Sequence, residues 1–234
     1  MEINGPGGCL ELIRLDRSST KENTVNRNIA LAFVLLLLFA LLLSYAAARF
    51  PVLPFDLKSY EELQEQASPL FNRLMQAVSD LGDQAFAVAL TTTAMMTFAL
   101  RHKWLEAIFM LATTSSVLLT FVLKDLIQRT RPFPLTQNAT GLIHSINEYS
   151  YPSGHVLFFV VFFGFFAYLA WMHFAGRVRV IVITICVALI VLIGPSRVFL
   201  GAHWASDVAG SYIIGAIWLF VLILAYQGAI RRKY

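Results

Sequence analysis

Three short stretches of this sequence carry residue types that could do chemistry. They read KDLIQRTRP (124–132), YPSGH (151–155) and SRVFLGAHWASD (196–207), and each lies at one end of an apolar run. Taken singly they have ordinary explanations, namely headgroup-facing cations, a helix start and a polar loop. Ionisable residues at one membrane face are costly unless they are paired or used, however. Together the three stretches therefore indicate a site.

The cations of these stretches suit an anionic phosphate. Lys124, Arg131 and Arg197 could surround its oxygens, and the two guanidinium groups offer forked donors. The backbone N–H groups of Ser153 and Gly154 could form an anion site at a helix N-terminus, where glycine lets the backbone approach closely. If the helix before Lys124 continues, Arg131 lies two turns later on the same face. We predict that these five residues bind phosphate.

Two histidines could divide the chemistry. Asp207 follows His203 by four residues, so on a helix its carboxylate would hold one imidazole nitrogen and leave the other free to attack. Asp207 would also stabilise positive charge on that ring. His155 is placed to protonate the departing alkoxide as a general acid. The cations can stabilise the transition state and no carboxylate cluster suits Mg²⁺, so the sequence predicts neither a metal nor a cofactor.

The elements that must position these residues are membrane helices. The chain has 234 residues, of which 58% are hydrophobic and 14% charged, whereas soluble domains average about 25% charged. Six apolar runs approach the roughly 20 residues that cross a bilayer. They are 29–48, 84–100, 104–123, 156–173, 180–195 and 208–226. We predict an all-α, six-helix membrane domain over residues 29–234 behind a polar cytoplasmic tail, residues 1–28.

The distribution of Lys and Arg predicts the orientation of these helices. Eleven of them fall on the side of the two termini and seven on the side of the three motifs. The positive-inside rule then places both termini in the cytoplasm and the motifs at the outer face. The first run ends in AAARF, which imitates a signal cleavage site, but its length favours an uncleaved anchor.

The first outer loop, residues 50–83, contains a predicted amphipathic helix. Ser68 suits the N-cap and Pro69 the first helical position. Apolar side chains then recur on one face, at Leu70, Leu74, Val78 and Leu81. Such a helix would lie at the outer membrane interface. We favour its packing against the other helices over a role in guiding substrate.

The three motifs together resemble the type 2 phosphatidic acid phosphatase superfamily of membrane lipid phosphatases. The pattern Lys-x6-Arg-Pro, Pro-Ser-Gly-His and Ser-Arg-x5-His-x3-Asp is filled, in order, by Lys124, Arg131, Pro132, Pro152, Ser153, Gly154, His155, Ser196, Arg197, His203 and Asp207. The resemblance implies a six-helix bundle, a phosphohistidine intermediate at His203 and an active site at the outer membrane face. Arg129 lies outside the pattern, and we interpret it as a solvated or headgroup-facing charge.

The expected function is a metal-independent phosphatase of membrane lipid phosphates or diphosphates, such as phosphatidic acid, phosphatidylglycerol phosphate or undecaprenyl diphosphate. The short loops indicate a bacterial inner-membrane enzyme whose substrate reaches the site from the bilayer. A lipid phosphotransferase could use the same site. A non-enzymatic carrier or scaffold for anionic lipids would keep the cations but would not need the His203–Asp207 spacing.

No feature indicates a nucleic-acid partner, and the oligomeric state stays open. His144 and Glu148 could shape substrate choice, although loop polarity explains them equally well.

Overall fold

The computed structural model describes residues 6–132 and 149–233, which form nine α-helices and no strand. In chain order these are α1 (Pro6–Arg49), α2 (Pro54–Glu65), α3 (Pro69–Asp80), α4 (Gln84–Leu100), α5 (Trp104–Ala112), α6 (Ser115–Ile127), α7 (Gly154–His173), α8 (Gly176–Phe199) and α9 (Ala205–Lys233). The expected all-α class is confirmed.

Within the described residues, five helical stretches are long and apolar enough to cross a membrane, and one of them combines α5 and α6. They are Ala30–Arg49, Trp104–Ile127, Gly154–His173, Gly176–Phe199 and Ala205–Arg232. A further helix, Gln84–Leu100, is apolar but has only 17 residues. Four of the six predicted runs thus lie within longer helices, and the run at 104–123 contains a turn at Thr113–Thr114.

The chain divides into two compact units, Met1–Phe39 and Ala40–Tyr234. The described residues of the first unit belong to α1, which begins at Pro6 and so includes most of the predicted tail. The second unit contains the end of α1 and all the other helices. Every residue discussed below as part of the site belongs to this second unit.

Helix α7 forms the centre of the second unit. All residues from Val156 to Phe163 are buried, as expected for a helix that is hydrophobic on every side. Helix α9 lies close against it, because a Cβ added to Gly215 would sit 2.9 Å from the Cβ of Val160. Small residues permit such close helix contacts. The start of α7, which contains the last two residues of PSGH, is therefore held in place by packing along the helix.

Helix α3 begins as the sequence predicts and packs on α8. The Ser68 hydroxyl accepts a hydrogen bond from the Phe71 N–H at 3.2 Å, which makes Ser68 the N-cap. The Ser196 hydroxyl donates to the Met75 carbonyl oxygen at 2.9 Å. The rings of Phe71 and Phe199 meet edge to face, with centroids 5.0 Å apart. This is the packing role that the sequence favoured.

The buried face of α3 differs from the predicted stripe. Met75 and Val78 are buried, whereas Leu70 is 79% exposed and Leu74 is also exposed. The contact with α8 therefore runs along one side of the apolar stripe rather than through its middle. Helix α2 is held in the same region, since the Gln64 amide donates to the Phe199 carbonyl oxygen at 2.7 Å.

Candidate active site

The three motifs lie at helix ends that meet around His203. Lys124 is in the last turn of α6 and Arg197 in the last turn of α8. Ser153 is the N-cap of α7. His203 lies in the connection between α8 and α9 and is 2% exposed. The sequence is therefore right that these segments come together.

The path from Lys124 to Arg131 differs from the prediction. Helix α6 ends at Ile127, and Gln128 adopts a left-handed conformation with φ of 50° while its N–H donates to the Lys124 carbonyl oxygen at 2.9 Å. The helix therefore does not continue to Arg131, as a face shared with Lys124 would require, because a left-handed C-cap ends it at Ile127, ahead of Pro132. The turn instead brings the Arg131 guanidinium to the Ala202 carbonyl oxygen, at 3.0 Å.

Two predicted phosphate-binding residues present buried donors without a partner in the described part of the chain. These are the Ser153 hydroxyl and the Nε of Arg197. The Ser153 N–H, in contrast, donates to the Ser211 hydroxyl at 2.7 Å. A bound phosphate could accept a hydrogen bond from each of these buried donors. Another nitrogen of Arg197 donates to the hydroxyl of Ser79 on α3.

Gly154 allows α6 and α7 to pack closely beside this position. A Cβ added to Gly154 would lie 3.3 Å from Cγ2 of Thr120, a residue one turn before Lys124. That separation is short for a carbon–carbon contact. The glycine therefore keeps the start of α7 next to the helix that carries Lys124.

The imidazole of His203 is held by a backbone carbonyl. Its Nδ1 lies 2.7 Å from the Ser150 carbonyl oxygen. Because a carbonyl oxygen only accepts, Nδ1 carries the proton and Nε2 keeps its lone pair. Asp207 Oδ2 lies 3.9 Å from Nδ1, which is too long for a hydrogen bond. The predicted spacing does bring the carboxylate beside the ring, but the Ser150 carbonyl fixes the tautomer.

The charge state of His203 follows from its surroundings. Burial, and then the positive charges of Arg131, Arg197 and Lys124, hold the pKa of His203 well below its ordinary value. The ring therefore stays neutral at neutral pH. All three predicted cations thus act electrostatically on the imidazole.

His155 contacts the turn between α3 and α4, which the sequence did not single out. Its Nε2 lies 3.3 Å from Oδ1 of Asp83. A Cβ added to Gly82 would overlap the His155 ring. The turn thus limits where the ring can lie and offers a carboxylate to its outer nitrogen.

Arg129 is buried, so its interpretation as a solvated or headgroup-facing charge is wrong. The residue is 3% exposed. Its guanidinium pairs with Asp56 at 2.8 Å and with Asp207 at 2.5 Å. Because Asp56 precedes Arg129 by 73 residues, no local spacing could reveal the pair. His144 and Glu148 lie outside the described residues.

Sequence comparisons connect this site to known proteins. The PAP2 superfamily matches residues 103–231, which include all three motifs. Phosphatidylglycerophosphatase B of Bacillus subtilis is 30% identical over 167 residues, or 70% of this chain and 79% of that protein. The undecaprenyl-diphosphatase of Sulfolobus acidocaldarius is 27% identical over 201 residues, or 81% of this chain and 88% of that protein.

Structural comparisons agree. The crystal structure of a transmembrane PAP2 type phosphatidylglycerolphosphate phosphatase from Bacillus subtilis superposes with a TM-score of 0.70 and 28% identity, covering 86% of this chain and 97% of that one. Aquifex aeolicus LpxE gives a TM-score of 0.54 at 19% identity over 73% and 96% of the two chains, which supports the fold alone. A family match over more than half of the residues and a relative at 30% identity show that this chain is a membrane-embedded enzyme of the PAP2 superfamily.

Proposed function

We propose that this chain is a metal-independent phosphatase that hydrolyses membrane lipid phosphates or diphosphates through a phosphohistidine at His203. One observation carries the proposal. The hydrogen bond from Nδ1 of His203 to the Ser150 carbonyl oxygen leaves Nε2 unprotonated in a site rich in cations. A neutral nucleophile beside fixed positive charge suits attack on a phosphate anion.

In the first step, Nε2 of His203 attacks phosphorus and the bond from phosphorus to the leaving oxygen breaks. His155 donates a proton to that oxygen, so the lipid leaves as an alcohol or as a monophosphate. Side chains and one backbone N–H bind the transferring phosphoryl oxygens. These are Lys124, Arg131, the Ser153 hydroxyl, the Gly154 N–H and Arg197.

In the second step, water attacks the phosphohistidine and the phosphorus–nitrogen bond breaks. His155, now neutral, accepts a proton from that water, and inorganic phosphate leaves. The imidazole is positively charged while it carries the phosphoryl group. Asp207, at 3.9 Å from Nδ1, stabilises that charge.

A lipid substrate is supported by the position of the site and by the relatives. Lys124 and Arg197 lie in the last turns of the stretches Trp104–Ile127 and Gly176–Phe199, which are both long enough to span the membrane. A phosphate between them would sit at headgroup depth while its lipid tail stayed in the bilayer. The relatives are named for phosphatidylglycerol phosphate and undecaprenyl diphosphate, and both substrates carry a phosphate or diphosphate on a lipid.

We further propose six spans, with both termini in the cytoplasm and the site at the outer face. Gln84–Leu100 would be the second span, since 17 residues rise about 26 Å and flanking residues can supply the rest of the roughly 30 Å needed. Helix α3 would then lie at the outer interface. Residues 1–28 would remain a cytoplasmic tail before the membrane domain of 29–234.

The test is phosphate release from a panel of lipid phosphates in detergent, with excess EDTA present. We expect turnover of at least one lipid phosphate or diphosphate, with no loss on chelation. A strict Mg²⁺ requirement for catalysis would reject the mechanism. A phosphotransferase would instead release little phosphate and label an added lipid alcohol, and a carrier would bind the lipids without turnover.

A further inference from the structure

Arg129 and Asp56 form a buried ionic centre with Asp207, and the mechanism above uses neither Arg129 nor Asp56. The side chains of Arg129, Asp56 and Asp207 are all 0% exposed. All three side-chain nitrogens of Arg129 donate hydrogen bonds. Nε donates to the Pro51 carbonyl oxygen at 3.2 Å, Nη1 to Ser206 at 2.6 Å and Asp207 at 2.5 Å, and Nη2 to Asp56 at 2.8 Å.

Asp56 fixes this centre from helix α2. Its carboxylate accepts hydrogen bonds from the Ser206 N–H at 2.8 Å, the Ser206 hydroxyl at 2.9 Å and the Leu53 N–H at 2.9 Å. Buried charges persist only when they are paired and hydrogen-bonded in this manner. The Arg129 guanidinium therefore joins the start of α2 to the first turn of α9, where Asp207 lies.

The backbone of Arg129 is also connected to the nucleophile. Its carbonyl oxygen accepts from the Ser150 N–H at 2.7 Å, and the Ser150 carbonyl oxygen accepts from Nδ1 of His203 at 2.7 Å. The Asp207 carboxylate is held on both oxygens. Arg129 binds Oδ1, while the Ser150 hydroxyl and the Trp204 N–H bind Oδ2. Arg129 thus supports both groups that face Nδ1.

We propose that Arg129 and Asp56 are positioning residues, which hold Asp207 and the Ser150 carbonyl against His203 and make α2 part of the support of the site. The inference rests on the proposed function. When His203 takes up the phosphoryl group its ring becomes cationic, and Asp207 stabilises that charge only while the carboxylate stays in place. A change at Arg129 should therefore slow phosphoryl transfer without weakening phosphate binding.

The experiment compares Arg129→Lys and Asp56→Asn with the wild type. Lysine keeps the charge but loses the fork that reaches two carboxylates. We expect kcat to fall by about 10- to 100-fold, as small misplacements of catalytic groups do. The KM for the lipid phosphate and the inhibition constant for inorganic phosphate should change little. Matched controls are Arg73→Lys on α3 and Glu61→Gln on α2, both at exposed positions, and they should behave as wild type.

A double-mutant cycle separates positioning from a general structural role. Arg129→Lys is introduced into Asp207→Asn, and the rate of phosphohistidine formation is measured in a single turnover. If Arg129 acts through Asp207, the second substitution should add little to the first. Fully additive losses, or a loss of phosphate binding equal to the loss of kcat, would overturn the inference. Asp56→Asn provides the same test if Arg129→Lys does not fold.

The two proposals can fail separately. An active wild type with an equally active Arg129→Lys overturns the inference alone. A wild type that releases no phosphate, or a fully active His203→Ala, overturns the proposed function and the inference with it.

Discussion

A histidine can attack phosphorus only while the attacking nitrogen keeps its lone pair. In many catalytic sites a carboxylate secures this by accepting a hydrogen bond from the N–H of the other nitrogen. Here the Ser150 carbonyl oxygen does so, at 2.7 Å from Nδ1, and Asp207 stands 3.9 Å away. In the proposed mechanism, two different groups therefore fix the tautomer and stabilise the charge.

The first prediction concerns the nucleophile itself. His203→Ala should remove phosphate release, because the proposed mechanism passes the phosphoryl group through Nε2 of this residue. The protein should still fold, which thermal unfolding in detergent would check. In the wild type, rapid quenching with labelled substrate should trap phosphate on His203 that is labile in acid and stable in base.

The matched control for this substitution is His102→Asn. His102 is exposed in the turn between α4 and α5 and has φ of 57°, a conformation that asparagine tolerates. This variant should keep wild-type activity. Full activity in His203→Ala would rule out the phosphohistidine mechanism.

A second prediction tests the cations as a phosphate clamp. Arg131→Gln and Arg197→Gln should each lower kcat/KM by about 10²–10³, the usual effect of removing one donor aimed at developing charge. Arg131→Lys should lose less, because it keeps the charge but not the fork. Steady-state phosphate release from one lipid phosphate in matched detergent measures each effect.

The control for the clamp is Arg73→Gln, since Arg73 is exposed on α3 and an exposed charge contributes at most about 1 kcal/mol. Arg129 is unsuitable, because the structure buries it beside Asp207. Equal, mild effects at Arg73, Arg131 and Arg197 would favour headgroup contacts over a clamp.

At this scale the sequence predicts that the motif residues come together, and it misses the residues that contact them. Arg129, Asp56 and Ser150 contact the site across 53 to 150 residues of chain, and local spacing carries no information about such contacts. One signal was present, since KDLIQRTRP contains a cation, Arg129, that lies outside the motif pattern. A charge at a membrane edge is costly unless it is paired, so a cation without a role in the motif indicates a buried acidic partner.

At the scale of elements, helix ends rather than helix faces build the site. Lys124 and Arg131 would share a face if the helix continued, but the left-handed Gln128 ends α6 and turns the chain. A glutamine does not predict a left-handed conformation, because glycine and asparagine are the residues that commonly adopt it at a helix end. Pro132 was the available clue, because helices usually end before the residue that precedes proline.

The α3–α4 turn gives a prediction at this scale. Gly82→Ala should displace His155, because the added Cβ overlaps its ring. General acids contribute roughly 10²–10⁴ in rate, so we expect kcat to fall by at least about tenfold with lipid phosphates. The loss should be smaller for p-nitrophenyl phosphate, whose leaving group needs little protonation. Rates with both substrates measure the difference.

Gly228→Ala is the matched control. It places the same Cβ in a helix where no other part of the described chain lies within 4 Å, the adjoining helix backbone aside, and it should leave both rates unchanged. If Gly82→Ala slows both substrates equally, His155 is not acting on the leaving group.

At the scale of the whole molecule, apolar runs made the fold class predictable. The run at 156–173 lies within Gly154–His173, and the run at 180–195 lies within Gly176–Phe199. Such runs are a strong signal because a bilayer requires every backbone group to bond internally. The packing of α2 and α3 was less accessible, since it depends on side-chain contacts such as that of Gln64 with the Phe199 carbonyl oxygen.

The last prediction concerns the orientation of the molecule in its membrane. Eleven of the Lys and Arg residues fall on the side of the termini against seven on the side of the site, which favours cytoplasmic termini. In a Cys9→Ser background, Glu61→Cys on α2 and Arg177→Cys at the start of α8 place single thiols at exposed positions. The remaining Cys186 is buried. A membrane-impermeant maleimide should label Glu61→Cys in intact bacterial cells and Arg177→Cys only after the inner membrane is opened. The background without an added cysteine should stay unlabelled. The opposite pattern would place the site in the cytoplasm, where a lipid phosphate of the inner leaflet, rather than one of the outer leaflet, would be its substrate.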